Sequence, residues 1–209
     1  SFHGAVSMPI TVNLKWITPD AEALIVQMAR VSTSMQNDTK DARLMAYLMD
    51  HAHWSPFEMA SACFYIETDR AIARQILRHR SFSFQEFSQR YSEIEYLDGP
   101  AARVDAERNR QSSVETDDKE LQAKWEDIKR RATSLYMEAR IAGIAKEVAR
   151  AVAPEGLAKT RMFMAGTIRS WIHYCDLRTM EDTQKEHRDI ALAINNALAE
   201  QLPNIFEVK

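Results

Sequence analysis

Glycine is scarce in this chain, with five among 209 residues (Gly4, Gly99, Gly143, Gly156 and Gly166) against an average usage of about 7%. None stands in a GxGxxG or GxxxxGKS/T arrangement, so the turns that lay backbone amides against a pyrophosphate are missing and side chains must hold any bound phosphate. Cysteine is scarcer still. Cys63 and Cys175, far apart, offer neither a disulfide framework nor a CxxC pair. No apolar run approaches the roughly 20 residues that cross a bilayer, and no charged start leads into an apolar stretch as in a secretion signal. The expectation is a soluble, cytoplasmic protein with no membrane partner. An excess of one charge is also lacking: 27 Lys+Arg against 30 Asp+Glu leave a net charge of -3, which argues against a nucleic-acid coat, so any basic site must be local. Hydrophobic residues at 45% and charged ones at 27% exclude a disordered chain, and this length supports one core.

Residues 1–9 (SFHGAVSMP) show no periodicity and are expected to be disordered, with Met8 the natural initiator. Residues 10–209 read as a single domain. Ile10, Val12, Leu14 and Trp16 alternate with polar residues, the signature of a half-buried strand. Thr18-Pro19 is expected to cap and open a helix to about Ser32, with a second helix over 38–51. Strands are expected at 59–67, 89–96 and 158–165, and helices at 69–80, 144–152, 167–178 and 183–201. Leu121, Trp125, Ile128, Ala132, Leu135 and Ala139 form the stripe of a long amphipathic helix ended by Gly143. Residues 81–88 are read as a loop, and the polar stretch 97–115 as a mobile loop or lid. Strands separated from helical blocks imply an α+β fold with a small antiparallel sheet and long helices.

Arginines outnumber lysines 18 to 9, and the arginine fork matches phosphate and carboxylate. Arg70, Arg74 and Arg78 share one helical face, continued by His79, Arg80 and Arg90, with Glu86 the only acid between residues 70 and 90. Like charges at this spacing cost an isolated helix about 0.2–0.5 kcal/mol per pair, a cost that a bound anion would relieve. A solvated arginine face paired to acids elsewhere is the alternative at this point. Phe82, Phe84 and Phe87 suit a planar heterocycle or an anchor to the core.

Residues 78–90 (RHRSFSFQEFSQR) carry Arg-His-Arg, seven residues, Ser, and an Arg two further on. This block resembles the signature of the flavin-dependent thymidylate synthases. ARVS (29–32), HWSPFE (53–58), TIRSWIHYCDLR (167–178) and 184–186 match further blocks of that family in order. The resemblance implies an α+β homotetramer with FAD and dUMP between subunits. It also implies transfer of a methylene from methylenetetrahydrofolate to C5 of dUMP, with NADPH-reduced FAD giving the hydride. By the same resemblance Gln75, Ile76, Leu77 and Arg78 are expected at dUMP, as are Glu86, Phe87, Ser88, Gln89 and Arg90 toward a neighbouring subunit, and Arg150 at its phosphate. Ser55, Arg78, His79, Arg80, Glu86, Thr167, Ile168, Arg169 and His173 are expected at FAD, with His53 lining the site. Thr167 and His173 stand where the family often has Asn, and Asp182 where it often has His, a role for which His187 is a candidate.

Uracil C5 is a poor nucleophile, activated either by a thiolate at C6 or by stabilising negative charge on the ring. Arg178 matches the family arginine that favours the N3-deprotonated pyrimidine, and it is assigned as catalytic. Its position near a helix C-terminus suits a cation in any case. The pair His51 and His53 lacks a third ligand motif, so no metal is expected. Two rival readings remain: a nucleic-acid-binding protein using the 70–90 ridge, which the net charge opposes, and a nucleotide-binding relative without turnover.

Overall fold

The computed structural model describes residues 10–32, 41–106 and 113–209. Met8, the expected start of the second helix at residue 38 and the tip of the 97–115 segment lie outside the described residues. The elements, in order, are β1 (Thr11–Ile17), α1 (Ala21–Ala29), a 3-10 turn (Arg30–Ser32), α2 (Asp41–Asp50) and a second 3-10 turn (Ser55–Glu58). They continue with β2 (Ser61–Asp69), α3 (Arg70–Ile76), β3 (Ser83–Glu86), β4 (Arg103–Asp105), β5 (Ser113–Glu115) and α4 (Lys119–Ile141). The chain closes with α5 (Lys146–Ala149), a third 3-10 turn (Arg150–Val152), β6 (Lys159–Thr167), α6 (Ile168–Arg178) and α7 (Lys185–Gln201). β1, β2, β6 and β3 form a four-stranded antiparallel sheet in that order, and β4 pairs with β5. The architecture is α+β, as expected. Among the described residues no helix is long and apolar enough to cross a membrane.

β2 and β6 pair without a break from Ser61 opposite Thr167 to Asp69 opposite Lys159. Alternation puts Ala62, Phe64 and Ile66 of β2 and Met162 and Met164 of β6 on one buried face. Ile72, Ala73 and Ile76 of α3, Ile168, Trp171 and Tyr174 of α6, and Ile190, Ile194 and Leu198 of α7 close over that face. Trp171 is fully buried, and its indole N–H donates to the Ala62 carbonyl at 3.1 Å, so its one polar atom is satisfied.

Each central strand runs directly into a helix, β2 into α3 and β6 into α6. Asp69 caps α3 by accepting from the Ile72 N–H at 2.9 Å, and Thr167 caps α6 by accepting from the Ser170 N–H at 3.2 Å. Because the strands are antiparallel, the helices start from opposite ends of the sheet and return over the same face. Nine strand residues span roughly 30 Å, while 7 residues of α3 and 11 of α6 together span roughly 27 Å. Their C-terminal ends therefore meet near the middle, where Arg178 touches His79.

Several sequence expectations need correction. Thr18 does not cap α1: its hydroxyl donates to the Ser61 carbonyl at 3.2 Å and accepts from the Ser61 N–H at 2.9 Å, tying β1 to β2. Asp20, at φ 51°, takes the N-cap position instead. The 69–80 helix stops at Ile76, leaving Arg78 beyond its regular turns. The 81–88 loop contains β3, whose ladder continues as Phe87 N–H donates to the Arg161 carbonyl at 2.9 Å. Residues 89–96 form no strand, only a Tyr96–Ala158 bridge, because β3 occupies that edge of β6. The described parts of 97–115 hold the β4–β5 pair. The stripe of α4 is only partly covered: Ile128 and Leu135 are exposed, while Lys129 and Tyr136 are its buried residues. Lys129 donates to the Asp98 carbonyl at 2.5 Å, so its buried ammonium is partnered.

Gly166 in β6 faces the ring of Phe82, where an added Cβ would lie 2.4 Å from Cδ1 and 2.7 Å from Cε1. That ring packs edge-on against Trp171 at 4.6 Å and cannot retreat freely. Gly166→Ala is expected to lower stability by about 1–3 kcal/mol through overpacking, read as a lower urea midpoint. An unchanged midpoint would show that Phe82 has room to move.

Candidate active site

The convergence of α3 and α6, joined by the start of α7, leaves an open cavity of about 500 Å3. Arg74, Gln75, Arg78, Arg178, Asp182, Thr183 and Gln184 line it. Three arginines against one carboxylate make its wall cationic. Arg74 also pairs with Glu155, whereas Arg78 makes no ion pair among the described residues. The Nε of Arg178 donates to Nε2 of His79 at 3.0 Å. Because a guanidinium only donates, Nε2 of His79 carries no proton. Burial, then the Arg178 charge, lowers the His79 pKa, consistent with a neutral ring. The imidazole thus orients Arg178 without neutralising it, leaving the two terminal nitrogens of the guanidinium for a ligand.

Behind this wall His187 is fully buried between Tyr174 and Gln75. Its Nε2 lies 3.1 Å from the Tyr174 hydroxyl and its Nδ1 3.1 Å from Oε1 of Gln75. Burial first, then the Arg178 charge, depresses the His187 pKa to about 3. Burial also drives the Tyr174 hydroxyl far above its ordinary value, keeping it protonated. The enclosed ring of His187 has no face left for a flavin, which removes it as the candidate for that contact. Gln75 Nε2 donates to Oε1 of Gln184 at 2.8 Å, and Gln184 Nε2 donates to Oε2 of Glu186 at 3.1 Å. Glu186 is buried and takes a two-point ion pair from Arg103 of β4, at 2.5 and 3.0 Å.

Arg74 is also a wall of a second open cavity, of about 510 Å3, lined by Arg70, Gln89, Glu147, Arg150 and Glu155 among others. Gln89 is 6% exposed, and its Nε2 is buried with no hydrogen-bond partner, an unmet donor at the edge of an arginine-rich space. Arg150 is anchored by its Nε to the Glu147 carbonyl at 3.1 Å. The side chain of Glu86 is occupied: it accepts from Thr160 Oγ1 at 2.8 Å and lies 3.5 Å from Arg70. Phe87 lies under the Arg161 guanidinium at 4.6 Å, Ser88 Oγ accepts from the Arg90 N–H at 3.4 Å, and exposed Arg90 lies 5.6 Å from the Tyr91 ring. Ile76 belongs to the core and Leu77 is half-buried, so Ile76 has no side-chain surface to offer.

A third group surrounds the outer face of α6. Arg169 pairs with Glu58 at 2.7 Å, and His173 meets Trp54 edge-on at 4.6 Å. Ser55 and His53 are exposed beside them in sequence, while Ile168 is buried in the core. Arg80 is exposed after α3. His53, Ser55, Arg169 and His173 belong to neither arginine-lined cavity. Among the described residues no group of three or more His, Cys, Asp or Glu could hold a metal.

The structure thus brings Gln75, Arg78 and Arg178 into one cavity and Gln89 and Arg150 into another. Sequence reasoning placed Arg70 and Arg74 on the basic ridge without giving either a role, and it missed Tyr174 and Arg103. Glu186 was legible only as part of a matching block, since nothing in its spacing reveals Arg103, 83 residues away.

Residues 13–204 match the family model described as thymidylate synthase complementing protein. The chain is 45% identical over 190 residues to the flavin-dependent thymidylate synthase of Synechocystis sp., covering 88% of this chain and 87% of that protein. It is 42% identical over 192 residues to the probable flavin-dependent thymidylate synthase of Paramecium bursaria Chlorella virus 1, covering 88% of each. A Thermus thermophilus enzyme of the same name is 36% identical over 184 residues, covering 86% of this chain and 68% of its own. This chain belongs to the thymidylate synthase complementing protein family, the flavin-dependent thymidylate synthases. The nucleic-acid-binding reading finds no support among these relatives.

Asp69, which starts α3 and so fixes where Gln75 and Arg78 fall, is buried, and burial pushes its carboxyl up to about 6. The folded chain therefore keeps this proton to higher pH than the unfolded chain, and stability contributed by Asp69 falls as pH rises from about 4 to about 6. Asn caps as well as Asp, so Asp69→Asn is expected to gain stability relative to wild type across that window and to hold the gain above it. Urea titrations at pH 4.5 and 7 check this, and a pH-independent difference would contradict it.

Proposed function

We propose that this protein catalyses the reductive methylation of dUMP to dTMP, taking the carbon from methylenetetrahydrofolate and the hydride from FAD reduced by NADPH. Arg178, held by a neutral His79 at the mouth of an arginine-lined cavity, carries this reading. FAD, when bound, supplies the hydride. The donor set suits it: exposed Arg78 and Arg80, partly exposed Arg169, the Ser55 hydroxyl, and the His53 and His173 rings offer side chains to a pyrophosphate that the chain has no glycine-rich turn to hold. Thr167 and Ile168 take part through the turn that opens α6.

Arg178 is the catalytic residue. Its free guanidinium edge stabilises negative charge on the pyrimidine and favours the N3-deprotonated form, which raises electron density at C5. Gln75 and Arg78 hold the nucleotide, and Leu77 and the backbone of Ile76 complete that wall. Arg150 and Gln89 supply donors to the phosphate, with Glu86, Phe87, Ser88 and Arg90 reaching the nucleotide of a neighbouring subunit. A thiolate route has little to work with. Cys63 and Cys175 are both buried, and burial raises both thiols, Cys175 to about 12.

Residues 10–209 act as one catalytic domain in a cytoplasmic homotetramer. Apolar side chains left exposed on α4 (Ile128, Leu135, Ile141) and on the outer sheet face (Trp16, Phe163) support assembly. So does the separation of the α6 outer face from both arginine-lined cavities, which leaves a composite site to be completed by another copy.

Arg178→Lys keeps the charge but loses the planar fork, and with it one charge-assisted hydrogen bond of about 1.5–3 kcal/mol. The variant is expected to fold and bind FAD, and to convert dUMP to dTMP roughly 10- to 100-fold more slowly. Activity within twofold of wild type would reduce Arg178 to a cation at a helix end.

A further inference from the structure

Five side chains form a continuous hydrogen-bonded chain between the cavity wall and the core, and one end of it can only accept. Glu186 meets Arg103 through both oxygens, and Arg103 lowers its pKa against the effect of burial, so it stands as a carboxylate. Gln184 must therefore turn its amide nitrogen toward Glu186, as it does at 3.1 Å. That leaves the Gln184 oxygen facing Gln75, so Gln75 must present nitrogen there, as it does at 2.8 Å. The Gln75 oxygen then faces Nδ1 of His187 at 3.1 Å, which has to carry the ring proton, and Nε2 accepts from the Tyr174 hydroxyl at 3.1 Å. Each group leaves its neighbour one choice. The second N–H of Gln75 has no partner among the described residues, and Gln75 lines the cavity.

We propose that the Arg103-paired carboxylate of Glu186 sets the direction of every hydrogen bond from Gln184 to Tyr174, so that Gln75 offers the cavity a donor and selects an acceptor oxygen on the bound nucleotide. Glu186 and Arg103 are positioning residues, acting through Gln184 and Gln75. The proposal rests on reading this cavity as the nucleotide site. It also gives the 97–115 segment a role, since β4 carries the arginine that pins the carboxylate. With the opposite polarity Gln75 would turn its oxygen to the cavity and repel the same ligand atom.

The tautomer of His187 reports the direction of the chain without any ligand. Solid-state NMR of the full-length protein labelled with 15N histidine is expected to show His187 neutral with the proton on Nδ1. The signal is assigned by its loss in His187→Asn or, if that variant does not accumulate, by replacing the other five histidines in turn. In Glu186→Gln the new amide can donate to Gln184, which reverses the chain and moves the His187 proton to Nε2. Gln184→Leu cuts the chain at an exposed residue without touching the Arg103 pair, and is expected to leave a mixture of tautomers. In both variants KM for dUMP is expected to rise about 3- to 10-fold, the worth of one hydrogen bond, with kcat within about twofold. An Nε2–H tautomer in the wild type overturns the proposal, as does an Nδ1–H tautomer unchanged in the two variants. If the wild-type protein makes no dTMP, the functional reading fails while the tautomer measurement still decides the polarity.

Discussion

The uninterrupted pairing of β2 with β6 is the constraint on which the rest depends. Nine residues of each strand are in register, and each strand passes into a helix with only a capping side chain between, Asp69 for α3 and Thr167 for α6. A strand slip by one residue would turn Phe64 and Met164 to solvent and also displace both helices. Antiparallel pairing sends α3 and α6 toward each other from opposite ends, and their lengths decide where they meet. Trp171, packed on Phe64 at 5.0 Å and on Phe82 at 4.6 Å, locks that meeting point to the sheet.

Two helix C-termini turned toward one spot concentrate unpaired carbonyl dipoles there, and cations are favoured at such ends by about 0.3–1 kcal/mol each. Arg74, Arg78 and Arg178 occupy that position. The half-buried His79 and the fully buried His187 nearby are the counterpart of this cluster. Desolvation and the arginine charge keep His79 and His187 neutral, so they orient donors without adding positive charge. On the proposed function, these side chains take the place of the glycine-rich turns that hold phosphates elsewhere, in a chain with five glycines.

Much of the fold was legible because its elements carry plain local signals: the aromatic and apolar content of 59–67, the helical spacing of 167–178 and 183–201, and the Gly143 stop, which takes φ 88°. β3 was missed although Ser81, Phe82, Ser83 and Phe84 alternate, because hydroxyl and basic residues around it read as loop chemistry. The Thr18 cap failed because a long-range bond to Ser61 competes with the local one. Arg178 was found from its block and Arg74 from its spacing. Tyr174, His187, Glu186 and Arg103 act together only through tertiary contacts, with Arg103 and Glu186 83 residues apart, and no local pattern encodes such contacts. The α4 stripe was real as a pattern, yet its outer half is bare within one chain.

The central claim is that the meeting of the α3 and α6 C-termini builds the nucleotide site. Diffraction from crystals of the holoenzyme soaked with dUMP tests it most directly. The account predicts density for the nucleotide at Gln75, Arg78 and Arg178, with the pyrimidine edge against the Arg178 guanidinium. Well-ordered dUMP bound elsewhere, with the Arg178–His79 contact left facing solvent, would contradict it.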